Sequence, residues 1–232
     1  EHRQGWIKEL YRGEVRFADD RIGRLLATLK ELGLYDDSLI VLTSDHGEEF
    51  WDHGSVDHGH SFYNELVAVP LIVKLPASMT PARTRVAVGV SNTAIVPTLL
   101  ELCGIESNEG WFSARSIAPL WLSGDEPPDD RAAFIAKPVY FGNREAVVYQ
   151  GWKYIRFLDR PSEELYNTMA DPAETMNLAV ASPEKKQELR ERLRKHREGS
   201  QSLARLLGLG GPVDPEERER ILRELKSMGY IQ

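Results

Sequence analysis

Four of the six histidines, His46, His53, His58 and His60, fall between Asp45 and His60, interleaved with the carboxylates Asp45, Glu48, Glu49, Asp52 and Asp57. Imidazole nitrogens and carboxylate oxygens together form the mixed donor set that divalent metals take. The stretch directly follows the apolar run Leu39-Ile40-Val41-Leu42. The donors are therefore expected on a loop leaving the end of a buried strand, where open α/β sheets place their chemistry. His53, within Trp51-Asp52-His53-Gly54, reads as a residue that orders the loop, and His196 as a solvated residue of a charged helix. Glu48 reads as a partner of the metal ligands or as a solvated carboxylate. Phe50, Trp51 and Phe62 either pack beneath the loop or form an apolar wall beside it.

The elements that must position this loop follow from periodicity. Ala18, Ile22, Leu25, Leu26, Leu29 and Leu32 recur at spacings of three and four, which predicts a helix from about residue 6 to 32 closed by Gly33. Ser38 to Thr43 is apolar through its middle, as in an interior parallel strand. Leu66 to Leu75 and Arg85 to Val90 read as further strands, and Ser91 as the cap of a helix running to Cys103 with Pro97 in its first turn. Cys103 itself reads as a small core residue at the end of that helix, with no basic neighbour to make it a nucleophile.

Gly124 to Asp130, rich in proline and acid, reads as a boundary. Beyond it, Ala132 to Tyr140, Glu145 to Tyr149 and Lys153 to Leu158 predict a small antiparallel sheet with a turn at Gln150-Gly151-Trp152. Asp171-Pro172-Ala173-Glu174 is a turn and Pro183 to Leu207 a charged helix. Gly208 to Pro212 is a break before a short helix, Pro215 to Met228, ended by Gly229. The fold class is thus α/β: the later part of a layered α/β catalytic domain over 1–126, a small α+β subdomain with an antiparallel sheet and packed helix over 127–207, and a helical tail over 208–232.

Lys and Arg total 29 against 36 Asp and Glu, and the net charge of −7 argues against a nucleic-acid partner. The most apolar stretch, Leu66 to Leu75, contains Pro70 and Lys74 and falls far short of the roughly 20 residues of a membrane helix. Glu1 opens the chain with neither an initiator methionine nor a signal-peptide pattern, so the sequence is expected to be part of something longer. A single cysteine excludes an internal disulfide and leaves the redox compartment undetermined.

Several blocks, in order, carry a family resemblance: Tyr11-Arg12-Gly13-Glu14-Val15 through Asp19-Asp20, Leu34-Tyr35-Asp36-Asp37-Ser38, and Thr43-Ser44-Asp45-His46-Gly47-Glu48. Phe62-Tyr63-Asn64-Glu65 before Val69-Pro70-Leu71-Ile72-Val73, then Ala94 to Leu102, then Glu164-Leu165-Tyr166-Asn167 with Asp171 to Glu174 and Asn177-Leu178, continue it. Together they resemble the later half of a sulfatase of the alkaline phosphatase superfamily. The resemblance implies metal-dependent hydrolysis of sulfate esters of small molecules or carbohydrates, in a periplasmic or secreted setting. It implies that Asp45 and His46 are ligands of one divalent cation, usually calcium, completed by two aspartates from a first strand that this sequence lacks. His58 or His60 would stand where relatives carry a Lys or His that contacts the sulfate or protonates the leaving group; His58, thirteen residues after Asp45, is favoured.

The family's nucleophile is a formylglycine made from a C-x-P-x-R motif, and the sequence holds none, since Cys103 is followed by Gly104-Ile105-Glu106. That nucleophile is expected in a missing N-terminal half, and this chain alone is expected to be inactive. Ala68 stands where many relatives have Arg or His before the Val69-Pro70 pair. The alternatives are a phosphodiesterase or phosphonate monoester hydrolase of the same superfamily, and a catalytically silent module. A two-zinc site is disfavoured because His196 is the one histidine after His60.

Overall fold

The computed structural model describes residues 2–106, 112, 114–123, 132–136, 143–206 and 223. Helix α1 (His2–Glu31) turns Ile22, Leu26 and Leu29 partly inward, while Ala18 and Leu25 of the expected stripe are exposed. The turn after it is held from the next strand pair: Lys74 Nζ donates to Asp36 O and Ser38 O, each at 3.0 Å, and lies 4.5 Å from the centroid of the Tyr35 ring.

Strand β1 (Ile40–Thr43) is present, but not as an interior parallel strand. It runs into the short hairpin of β2 (Glu49–Phe50) and β3 (Val56–Asp57), then helix α2 (Asn64–Val67), and the chain returns as β4 (Leu71–Lys74). β4 pairs with β1 antiparallel, Ile40 opposite Lys74 and Thr43 opposite Leu71, in a sheet of two strands among the described residues. An apolar run reports that a strand is covered; it carries no information on the direction of its neighbour, which is set by how the chain reverses between them. The expected strand Leu66 to Leu75 divides in the same way, because Pro70 separates the turn of α2 from the ladder.

Arg85 to Val90 is not a strand. Val86 and Val90 pack against Ala94, Ile117 and Leu120, so their alternation serves that cluster and not a ladder. Ser91 caps a 3-10 turn (Asn92–Ala94), its hydroxyl accepting from the Thr93 N–H, and α3 (Ile95–Leu102) follows with Pro97 buried in its first turn. Cys103 is exposed, contrary to its expected place in the core. Leu102 takes the buried position, and the next residue on a helix points about 100° away. Helix α4 (Pro119–Leu122) closes this cluster with Leu120.

The second sheet is antiparallel as expected, in the order β5 (Ala132–Ala136), β6 (Arg144–Tyr149), β7 (Trp152–Phe157) and β8 (Glu163–Asn167). Gln150 (φ 49°) and Gly151 (φ 73°) make the two-residue turn that sets Tyr149 opposite Trp152. Ala146, Ile155, Phe157 and Tyr166 form a core with Phe62, so one face of this sheet covers the segment just after His60. Tyr154 donates to Glu163 Oε1 at 2.6 Å, and Lys186 and Arg190 of α5 (Pro183–Leu206) pair with the same carboxylate.

Two compact units are distinguished, Glu1–Arg190 and Glu191–Gln232. In the second, Arg194 pairs with Glu191 at 2.6 Å and Glu198 at 2.7 Å along the helix surface. The expected boundary at Gly124 to Asp130, residues 137–140 of the first expected strand of the sheet, the break at Gly208 to Pro212 and all of the terminal helix except Arg223 lie outside the described residues. No described helix is long and apolar enough to cross a membrane.

Candidate functional site

The histidine loop is shaped by its backbone before its side chains. Ser44 Oγ donates to His46 O at 2.6 Å, and the Gly47 N–H donates to Leu66 O at 2.9 Å. Gly47 lies so close to the chain returning after the loop that a Cβ there would sit 1.9 Å from Glu65 O. Only glycine permits that approach. Further on, β2 and β3 pair Glu49 with Asp57 and Phe50 with Val56, which folds the loop back and delivers His58 beside its start.

Glu49 is wholly buried and ties the loop together. Its Oε1 accepts from the N–H of His53 at 3.1 Å and of Ser55 at 2.8 Å, and its Oε2 lies 2.8 Å from His60 Nε2. Burial works to raise its pKa, but the His60 contact and these backbone bonds outweigh it and hold Glu49 below the usual carboxylate range. The His60 side chain is 11% exposed and faces inward.

Asp45 and His46 are at the open side. The Asp45 side chain is 84% exposed, its Oδ1 accepts the His46 N–H at 3.0 Å, and its Oδ2 lies 3.7 Å from His46 Nε2. The slight burial of Asp45 works to raise its pKa, yet the backbone bond and the His46 ring hold it below the usual value. The His46 ring stacks on that of His58, with centroids 4.0 Å apart and planes 21° from parallel. His58 Nδ1 lies 2.9 Å from Asp57 Oδ1 and 3.3 Å from Glu48 Oε2. Donor atoms of Glu48, Asp57 and His58 fall within 4.8 Å of one another, the spacing at which three groups share one ion. The structure thus brings Asp45, His46 and His58 together and turns His60 toward Glu49. Glu48 and Asp57 join them through His58; the sequence offered Glu48 as a ligand partner or a solvated carboxylate and counted Asp57 only among the carboxylates of the donor set.

Behind this surface, His53 is fixed on three sides. Its Nδ1 is 2.5 Å from Glu65 Oε1, its Nε2 3.3 Å from Glu174 O, and its ring stacks on Tyr63 at 3.6 Å. Burial works to lower the His53 pKa, and the bond to Glu65 outweighs it, leaving the imidazole above its usual value. Tyr63 and Tyr166 both donate to Glu164 Oε2, at 2.9 and 3.3 Å. Burial and the Glu164 charge push the Tyr63 phenol up to about 12 and raise that of Tyr166 as well.

Comparison with known proteins bears on this loop directly. The sequence profile of the Sulfatase family matches residues 7–105. The chain is 29% identical over 220 residues to an N-acetylglucosamine-6-O-sulfatase of Bacteroides thetaiotaomicron, covering 91% of this chain and 38% of that protein. It is 31% identical over 198 residues to arylsulfatase K of Gallus gallus, covering 81% of this chain and 36% of that one. Among solved structures, a phosphonate monoester hydrolase of Agrobacterium radiobacter superposes with a TM-score of 0.65 at 26% identity, over 80% of this chain and 40% of the other. The chain therefore spans less than two-fifths of the length of the two curated relatives.

Proposed function

We propose that the chain, whose residues 7–105 match the Sulfatase family, supplies part of an active site for metal-dependent hydrolysis of sulfate esters. Asp45 and His46 are ligands of one divalent cation, for which calcium is the choice. An exposed carboxylate kept ionised by a backbone N–H is a hard oxygen donor, and Glu48 and Asp57, whose donor atoms lie within 4.8 Å of one another and of one of His58, offer further oxygens beside the His46–His58 stack. These donors fit part of a calcium shell, which takes six to eight oxygens, so further ligands come from outside this sequence. When bound, the cation neutralises the oxygens of the sulfate group.

His58 is the residue that meets the ester. Its Nδ1 is engaged by Asp57 and Glu48, which orients the ring and leaves Nε2 to contact a sulfate oxygen or hand a proton to the leaving alcohol. His60, held by Glu49, orders the loop beneath it. The nucleophile, a formylglycine from a C-x-P-x-R motif, belongs to a segment outside this sequence. A sulfated carbohydrate or small molecule is the substrate class, and a periplasmic or secreted location rests on the family likeness alone. The domain division at about residues 126 and 207 is part of the same reading.

The observation that carries this reading is the stacked pair of His46 and His58 at 4.0 Å, which joins a metal ligand to the leaving-group histidine at one place. The likeness to a phosphonate monoester hydrolase keeps one second reading, hydrolysis of phosphonate or phosphate esters by the same residues. The test is hydrolysis of an aryl sulfate beside an aryl phosphate diester by the full-length protein matured with its formylglycine. Asp45→Ala, His46→Ala and His58→Ala are each expected to lower kcat/KM on the sulfate by about 10²-fold or more. Preference for the diester would promote the second reading, and undiminished turnover by all three variants would place the chemistry elsewhere.

A further inference from the structure

The arc that carries His58 is held at its far end by a buried ion pair between the C-terminal sheet and the turn after it, and at its near end by the main chain of that same turn. Lys153, on β7, is wholly buried; its Nζ donates to Phe62 O at 3.0 Å and to Asn64 Oδ1 at 2.7 Å, and lies 2.7 Å from Glu174 Oε1. Glu174, in the turn after β8, is buried as well. Its Oε2 accepts the Asn64 N–H at 2.6 Å, and its main-chain oxygen faces His53 Nε2 at 3.3 Å. Asn64 completes the joint by donating from Nδ2 to Pro172 O at 2.9 Å. His53 marks one end of the arc and Phe62 to Asn64 the other; His58 lies between.

Two apolar side chains of similar volume would fill this space without the cost of desolvating two charges. Burial does act against both charges, holding the Lys153 pKa below and the Glu174 pKa above its usual value. What an apolar pair would lack is direction. Three donor hydrogens on Nζ and two oxygens on Glu174 fix the backbone of residues 62–64 at particular points, which dispersion contacts do not. Lys153 sits among Tyr154, Ile155 and the rest of a strand whose buried positions are otherwise mostly apolar.

We propose that Lys153 and Glu174 are positioning residues for the histidine loop: together they set where the arc from His53 to Asn64 lies, and through it the placement of His58 against Asp45 and His46. The catalytic consequence rests on the sulfate-ester reading above; the placement itself does not.

The test uses Lys153→Met, Glu174→Gln and the double variant in the full-length protein. The double variant leaves no unpaired buried charge and so keeps the fold even where a single change loses it. In it, hydrogen exchange of peptides covering 53–65 is expected to speed up by about tenfold or more, while peptides covering 144–149 stay within about twofold. On an aryl sulfate, kcat is expected to fall by about 10²-fold with KM within about threefold, as a displaced catalytic group requires. Equal loss of protection in loop and sheet, or none in either, would overturn the proposal. If the wild-type protein turns over no sulfate ester, the exchange measurement still decides the placement, and the functional reading alone has failed.

Discussion

One carboxylate, that of Glu49, joins three points of the histidine loop, and beside it His53 has its own carboxylate in Glu65. The two inward histidines are therefore structural in different ways from the stacked outward pair, His46 and His58. Composition and spacing are enough to single out the stretch; Asp45, His46, His58 and His60 come from the resemblance to sulfatases. Neither could say which carboxylate each ring meets: the fold gives Glu49 to His60, and Glu65 together with the main chain of Glu174, 121 residues along, to His53. The His53 contact makes a pH-dependent contribution with a definite sign. Its folded pKa lies above the free value of 6.5, so the stabilisation is complete below 6.5 and is lost as pH rises through the folded value. In urea unfolding from about pH 5.5 to about pH 9, the stability gap between wild type and His53→Gln is expected to be widest at the acid end and to narrow upward. A gap that widens with pH would contradict the pairing with Glu65.

At the scale of elements, the start of the loop and helix α2 meet at Gly47. Its N–H bonds Leu66 O and its α-carbon leaves no room for a side chain against Glu65 O. Backbone cannot yield there as a flexible side chain would. Gly47→Ala is expected to destabilise the protein by about 1–3 kcal/mol, read from thermal or urea unfolding, and to weaken divalent-cation binding together with stability. An alanine variant of unchanged stability would mean that the close approach is not a constraint. Helix α1, the helix capped by Ser91, the β6–β7 hairpin and α5 were legible from the sequence, since each rests on local periodicity or turn chemistry. β8 was not: Glu163-Glu164-Leu165-Tyr166-Asn167 shows no strong apolar alternation, and its place comes from pairing with β7 and from the bonds of its acids to Tyr154, Tyr63 and Tyr166. The antiparallel pairing of β1 with β4 was equally hidden, because direction is a property of the connection.

For the molecule as a whole, the division of labour between the loop-bearing part and the sheet is bridged by buried polar side chains, in addition to the Phe62 core. Phenols take part in that bridge, Tyr63 and Tyr166 sharing Glu164, while Tyr154 shares Glu163 with Arg190 between the sheet and α5. Burial first, then the neighbouring carboxylate, pushes Tyr63 and Tyr154 up to about 12 and raises Tyr166 too, so all three favour the protonated form in the fold. For Tyr63 and Tyr154 the contribution to stability is whole below the ordinary value of 10 and drains away as pH climbs from there through about 12. The same arrangement has an optical signature. Of the chain's eight tyrosines, these three should stay dark in the near-ultraviolet phenolate band when the folded protein is brought to about pH 11, whereas in denaturant all eight brighten together near pH 10. Stopped-flow absorbance after a jump to alkali would then show a delayed rise from these three phenols at the rate at which the protein comes apart, giving a label-free clock for its unfolding.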